Sequence, residues 1–273
     1  MGTTIRWRDR TTLAVEAAAL SPESAAAAGR SGLADLVMPI GRDEARVGDL
    51  FDVEFDDATP EDHLIVEGDL THLHGLASGM TRGRLTLRGD VGDRLATGMR
   101  GGLVEVFGSV GAWAFAEASG GSCRVAGDAG DQFASALPGS RLGVTGGIWT
   151  VAGSVGVDCG WAMRRGLVAI GGDAGAGLGS DLIAGSIFAF GRIGPSAGLG
   201  MKRGTIAAFA GEVEPPPSFA ASGAFRPVFL PLYLRELVAH GFAPAAGVCA
   251  TRFARYNGDL AADGRGEWLL SVD

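Results

Sequence analysis

A short pattern recurs seven times between about residues 64 and 210, and it constrains this chain more than any other feature. Each copy centres on a glycine that follows a four-residue run, as in LTLRGDVG, VEVFGSVG and WTVAGSVG. The anchor glycines are Gly68, Gly89, Gly108, Gly127, Gly153, Gly172 and Gly191. Their spacings are 21, 19, 19, 26, 19 and 19 residues. A fixed period near 19 residues is typical of a solenoid, in which each repeat packs only on its neighbours.

Within a copy, the apolar residues alternate. The positions four before, two before and two after the anchor are apolar, as with Val104, Val106 and Val110 around Gly108. Alternation at period two predicts a strand with one buried face. Nineteen residues are too few for a strand–helix–strand unit, which needs roughly thirty. The pattern therefore predicts an all-β fold, a right-handed parallel β-helix of about seven coils. We expect the residues four before each anchor to stack in one interior column: Leu85, Val104, Cys123, Trp149, Val168 and Ile187.

Glycines and aspartates mark the corners of each copy. Because glycine adopts positive φ without steric cost, we expect the anchors, Gly108 among them, to hold positive-φ corners. A second signature, GMTRG at 79–83 and GMKRG at 200–204, closes several copies. The 26-residue step predicts a bulging loop near residues 137–140. The aspartates that follow anchors are expected to cap backbone donors: Asp69, Asp90, Asp128 and Asp173.

The flanks are predicted to cap the solenoid, because a stack of repeats needs polar covers at its ends. We divide the chain into an N-terminal cap (1–63), the coil (64–211) and a C-terminal extended and helical tail (212–273). In the first cap, Ser21 and Pro22 predict the start of a short helix, and residues 47–53 look extended. In the tail, leucines after Pro231 predict a helix over residues 232–240.

Composition excludes several classes of protein. No apolar run approaches the roughly 20 residues of a membrane span, and no signal peptide is visible. Three cysteines, Cys123, Cys159 and Cys249, are widely spaced, which fits a reducing cytoplasm rather than a disulfide framework. The net charge of −8 makes nucleic acid a poor partner.

Catalytic motifs are scarce. His72 and His74 have the H-x-H spacing of metal hydrolases, but too few further ligands lie nearby in the sequence, and a polar coil face is the favoured interpretation. No Ser–His–Asp arrangement or nucleophile elbow is visible. We therefore expect no catalytic residue and no metal site on this chain, and the sequence leaves the role of His72 and His74 open.

Basic residues recur after the methionine of the second signature. On a solenoid they should line one edge, with charges about 5 Å apart from coil to coil. Such a row calls for a bound polyanion or an acidic neighbouring subunit, although arginine stems that cover apolar corners would also explain it. The candidate binding residues are Arg82, Arg100, Arg164, Arg165, Lys202 and Arg203.

The coil and flanks resemble a known family. The 19-residue coil with its Gly-Met-x-x-Gly corners resembles the β-helix of the glutamate synthase large subunit and the β-helix subunit of formylmethanofuran dehydrogenase, the dehydrogenase-C family. The segments VMPIG (37–41), GDLFDV (48–53) and YNGD (256–259) resemble the pattern of the dehydrogenase-C family. The composition, with Lys202 as the sole lysine, resembles the member of this family that belongs to the bacterial formyltransferase/hydrolase complex of methylotrophs.

This resemblance implies a role in formaldehyde oxidation and one-carbon metabolism. The complex would move a formyl group from formyl-tetrahydromethanopterin to a methanofuran-type carrier and hydrolyse it to formate. The implied partners are a formyltransferase subunit, an amidohydrolase-like subunit and a third subunit, and the chain itself would be a non-catalytic scaffold. The carrier's anionic tail would be a candidate ligand for the basic edge. One alternative is a glutamate-synthase-like β-helix protein of an amidotransferase complex. Another is a β-helix polysaccharide lyase, which would show clustered carboxylates and bases that are not visible here.

Overall fold

The three-dimensional structure is a computed structural model that describes residues 2–8, 11–210, 213–248 and 252–272. Cys249 and the predicted boundary at 211/212 lie outside these residues. No helix within them is both long and apolar enough to cross a membrane. The helices are α1 (Pro22–Gly32), α2 (Val47–Leu50) and α3 (Leu230–Ala239). The strands are β1 (Gly2–Trp7), β2 (Val15–Glu16), β3 (Val37–Ile40), β4 (Asp43–Arg46), β5 (Phe51–Asp56), β6 (His63–Glu67), β7 (Leu73–His74), β8 (Arg84–Arg88), β9 (Leu103–Val106), β10 (Ser122–Val125), β11 (Thr145–Val151), β12 (Arg165–Ile170), β13 (Ser186–Ala189), β14 (Thr205–Ala208), β15 (Ala220–Phe225), β16 (Phe253–Gly258) and β17 (Gly266–Ser271).

A mostly parallel sheet of 13 strands dominates the molecule. Its order is β15-β16-β17-β14-β13-β12-β11-β10-β9-β8-β6-β1-β5, and only the outermost strands at each end pair antiparallel. Each repeat therefore contributes one strand beside the strand of the previous repeat. A smaller sheet, β4-β3-β2-β7, joins the N-terminal segment to the first repeat.

The predicted column is confirmed by the strand register. Leu85 pairs with Val104, Cys123 with both Val104 and Trp149, and Val168 with both Trp149 and Ile187. All six side chains are buried. Ile206 and Trp268 continue the column, so β17 extends it with a residue from the C-terminal segment.

Successive repeats are bonded along two further lines. Single parallel bridges link the residue two after each anchor, from Leu70 and Val91 to Ile193. Backbone amides on another side of the repeat reach the preceding or following copy, as where Gly179 N donates to Cys159 O at 2.8 Å. Equivalent positions of successive repeats are thus bonded along the strands and along two further lines.

The prediction that the anchor glycines are needed for positive φ is wrong for Gly108. Of the seven anchors, only Gly68 and Gly89 have positive φ. A Cβ on Gly108 would instead lie 2.5 Å from Gly89 O, so close backbone approach excludes a side chain there. Positive φ belongs to the glycines that close the second signature, such as Gly102 (92°) and Gly166 (102°).

The secondary structure predicted for the flanks is confirmed in part. α1 begins as expected, with Ser21 Oγ accepting from Ser24 N at 3.1 Å. Residues 47–50 form a helical turn rather than the predicted extended piece, because the Asp49 carboxylate accepts from Arg46 N at 3.0 Å and fixes the turn. α3 begins two residues earlier than expected and packs on the outer face of the sheet. Residues 135–144, in the long repeat step, lack helix and strand.

A candidate binding edge

The candidate edge is formed where the chain turns after the second signature. The methionines of this signature, such as Met99, Met163 and Met201, are buried inside the stack. The two residues that follow Met163 and Met201 face solvent, and the closing glycine then adopts positive φ. A buried anchor and a left-handed corner together hold those two side chains outside the stack.

Backbone bonds between repeats give the register of this edge. Arg164 N donates to Val144 O, Ile183 N to Met163 O, and Lys202 N to Leu182 O, at 2.7–2.8 Å. The column just after the methionine position is therefore Thr81, Arg100, Ser119, Thr145, Arg164, Ile183 and Lys202. The next column is Arg82, Gly101, Gly120, Gly146, Arg165, Ala184, Arg203 and Arg265.

The expectation of one charge per coil is wrong. Ile183 and Ala184 separate the Arg164 pair from the Lys202 pair, which places the two pairs about 10 Å apart at two strand spacings. Arg100 is three repeats from Arg164. At such distances salt screens much of the repulsion between exposed charges. Repulsion within a continuous row is therefore no argument for a ligand.

Four of the six candidates come together in one groove. Arg164, Arg165, Lys202 and Arg203 line a cavity of about 680 Å³ whose floor includes Ile183. Lys202 Nζ donates to the carbonyl oxygen of Ala262, which fixes one wall. The groove is thus basic on both sides and apolar in the middle.

A second cavity continues the groove. It has a volume of about 430 Å³, shares Arg164 and Ile183 with the first, and adds Arg141 and Trp161. Trp161 Nε1 donates to Asp181 Oδ2 at 3.1 Å, which orients the indole ring. We call the two cavities together the basic groove.

The other two candidates lie elsewhere. Arg82 lines a separate cavity of about 430 Å³ with the acidic side chains of Glu23, Glu61 and Asp62. Partial burial raises the pKa of Glu23, but backbone amides of residues 81 and 82 donate to its carboxylate and leave the pKa lowered overall. Arg82 therefore sits in an acidic setting that does not suit an anion. Arg100 lines neither this cavity nor either cavity of the basic groove.

The arginines of the edge differ from those on the strands in their partners. On the strand faces, Arg84 and Arg124 both bind Glu105, and Arg88 binds Glu67. On the edge, no acidic side chain of the described residues pairs with the arginine candidates: Arg82, Arg100, Arg164, Arg165 and Arg203. Guanidinium groups without partners keep all their donors for an external carboxylate or phosphate.

Sequence reasoning missed part of this groove. Arg141 lies in the 26-residue step, where the 19-residue period does not determine which position of the repeat a residue occupies. Arg265 joins the Arg203 column only because β17 pairs with β14. Trp161 lies at a regular position of its repeat, but only the tertiary structure brings it beside Arg141.

The aspartates and His74, which could take part in chemistry, instead form hydrogen bonds with backbone amides. The four predicted aspartate caps are confirmed: the side chains of Asp69, Asp90, Asp128 and Asp173 accept from backbone amides at 2.7–3.1 Å. His74 Nδ1 accepts from Asp93 N at 3.0 Å, and Asp93 Oδ2 lies 3.8 Å from the same nitrogen. Within the described ranges, no group of three or more His, Cys, Asp or Glu side chains is placed to hold a metal ion.

Comparison with solved structures finds a similar chain in the X-ray crystal structure of the formyltransferase/hydrolase complex from Methylorubrum extorquens in complex with methylofuran. The match has a TM-score of 0.87 and 32% sequence identity, and it covers 99% of this chain and 100% of that chain. No family model matches this chain, and a search of curated proteins finds no relative. Nothing in these comparisons favours the glutamate-synthase-like alternative.

Proposed function

Since this chain belongs to the same family as the chain that it matches in the formyltransferase/hydrolase complex, we propose that it is the dehydrogenase-C-type subunit of such a complex and acts as a non-catalytic scaffold. The observation that carries this proposal is a match over the full length of both chains at 32% identity. The chemistry of the chain supports it, because His74 and three of the four aspartates, Asp90, Asp128 and Asp173, are engaged by the backbone of neighbouring repeats.

The architecture suited to this role is a right-handed parallel β-helix. We propose that residues 64–211 form its seven coils and that residues 1–63 and 212–273 cap them. Support comes from the three lines of bonds between repeats and from the pairing of β1 and β17 with the first and last coils. A rigid rod of this kind presents long faces on which other subunits can be mounted.

The reaction would belong to the partners. In this proposal, a formyltransferase subunit moves the formyl group from formyl-tetrahydromethanopterin to a methanofuran-type carrier, and an amidohydrolase-like subunit releases formate. The assembly would include a third subunit and would serve formaldehyde oxidation in the cytoplasm of a methylotroph. The buried, free thiols of Cys123 and Cys159 suit a reducing compartment.

The basic groove is the part of this chain suited to the carrier. We propose that it holds the carrier's anionic tail through Arg164, Arg165, Lys202 and Arg203, while the other two candidates, Arg82 and Arg100, lie outside the groove. The groove offers unpaired guanidinium donors around an apolar floor. An exposed contact of this kind contributes less than about 1 kcal/mol. Several together would retain a polyanion while leaving its other end free to move.

Co-purification tests the scaffold role. The tagged chain should bring down formyltransferase and amidohydrolase subunits, identified by mass spectrometry, and the isolated chain should catalyse neither formyl transfer nor hydrolysis. Recovery of flavin and iron–sulfur partners instead would support the amidotransferase alternative and overturn the proposal.

A further inference from the structure

One column of side chains on the outer face of the large sheet is only half covered. Each member is the residue that directly follows a strand, and backbone hydrogen bonds align the members from repeat to repeat. Ala126 N donates to Val106 O and Phe190 N to Ile170 O, both at 2.9 Å. After Arg88, the outer column consists of Phe107, Ala126, Ala152, Gly171, Phe190 and Phe209.

The chain covers the second half of this column with its own C-terminal segment. Phe190 stacks on Phe209 with ring centroids 4.5 Å apart, and Phe242 meets Phe190 edge-on at 5.4 Å. Pro244 lies so close to Gly171 that a Cβ there would be 2.9 Å from its Cγ. This half is thus sealed by aromatic and proline side chains that cross the strands.

The first half is bare. Phe107 is 65% exposed, and Ala126 and Ala152 are exposed beside it. A slot of about 210 Å³ runs between Phe107 and the segment that carries Phe242. The two small side chains form its floor, so the slot is the unfilled continuation of the covered half. Its volume suits one large apolar side chain.

The rim of the slot carries charged side chains that are held in place by hydrogen bonds. Glu105 is 7% exposed and accepts from Arg84 Nε at 2.7 Å and from Arg124 Nη1 at 3.0 Å. Two guanidinium groups on one carboxylate leave a surplus positive charge. Arg124 Nε is buried and has no hydrogen-bond partner among the described residues. His240 Nε2 lies 3.1 Å from Cys123 O, which anchors the end of α3 beside this rim.

We propose that this slot is a docking site for an anchor residue, aromatic or leucine, on a partner subunit of the complex, with an acidic residue of that partner facing Arg124. The proposal rests on the proposed function, in which the chain belongs to a multi-subunit complex. The occupant is inferred from the mode of covering that the chain itself uses on the other half of the column, and from the surplus charge at the rim. Aromatic residues, phenylalanine among them, are enriched at the cores of protein interfaces, and a largely exposed one beside a preformed pocket fits such a place.

Two variants and a matched control test the site. Phe107→Glu removes one wall and adds an acidic side chain, and Ala152→Leu fills the floor. Leu260→Glu alters a side chain of similar exposure, 58%, on the C-terminal segment. Each variant is co-expressed with the partner subunits and assessed by gel filtration and by affinity for the complex that lacks this chain. We expect about a tenfold or greater loss of affinity for Phe107→Glu and Ala152→Leu, and no change for Leu260→Glu.

A further variant, Arg124→Gln, tests the positive charge at the rim. It should weaken binding and reduce the salt dependence of binding. The side chains of Phe107 and Ala152 lie on the surface, so an unchanged melting temperature of the isolated Phe107→Glu and Ala152→Leu variants shows that folding is intact. If wild-type chain brings down the partners and the Phe107 and Ala152 variants bind them equally well, the docking site is overturned while the scaffold role stands. If wild-type chain brings down no such partner, the proposed function itself fails.

Discussion

A methyl group on Gly108 would lie 2.5 Å from the carbonyl oxygen of Gly89, one repeat earlier. Real Cβ atoms do not approach oxygen so closely, and the obstacle is backbone that cannot rotate away. We therefore expect Gly108→Ala to lower the free energy of unfolding by about 1–3 kcal/mol, as overpacking does elsewhere. Denaturant unfolding of the purified chain measures the loss. Gly32→Ala is the control, since its nearest neighbour would be 3.4 Å away and its φ is ordinary. Equal stability of the two variants would mean that the repeats stack less tightly than described.

The ion pair between Asp173 and Arg192 should make stability depend on pH. The Arg192 guanidinium and backbone amide both donate to this carboxylate, and they hold its pKa below the usual range. Because the folded pKa is depressed, the stabilisation is present above the unfolded value of about 3.9 and is lost as pH falls through the folded value. Asp173→Asn should therefore lower the melting temperature at pH 7, and its difference from wild type should shrink as the pH falls below about 3.9. Arg192→Gln should show a smaller change of the same sign. A deficit for Asp173→Asn that does not shrink as the pH is lowered would contradict this account.

Reversing two charges in the basic groove should release an anionic carrier. Arg164→Glu with Arg165→Glu places acids where unpaired guanidinium groups now line the cavity. We expect the assembled complex to co-purify with less carrier, and the salt dependence of turnover to weaken. Arg42→Glu, an exposed arginine far along the sequence from the groove, is the matched control. Full carrier content in the double variant, with unaltered salt dependence, would show that the groove binds something else.

Removal of the H-x-H pair should leave the chemistry of the complex intact. His74 Nδ1 is engaged by the Asp93 amide, and no cluster of three metal-binding side chains surrounds it within the described residues. His72→Ala with His74→Ala should therefore keep turnover and metal content near those of wild type, measured by steady-state kinetics and elemental analysis. Loss of one metal per complex would overturn the scaffold role.

The repeat period alone determined the interior column and the aspartate caps. A constant phase forces residues such as Val104, Cys123 and Trp149 into the same position on successive strands, and it places the Asp128 carboxylate beside the amide of Ser154 in the following repeat. The role of Gly108 was beyond this reasoning. The repeat pattern indicates that glycine is required there, but both positive φ and close approach of another backbone require it, and only the positions of neighbouring repeats distinguish them.

Contacts between distant segments were decided by the tertiary structure. Arg265 joins the Arg203 column because β17 returns to pair with β14, and Phe242 covers Phe190 because α3 folds back over the sheet. A period describes only the contacts of each repeat with its neighbours. Where the chain leaves the repeat, packing and loop closure choose the path, and that path leaves Phe107 bare while it buries Phe188.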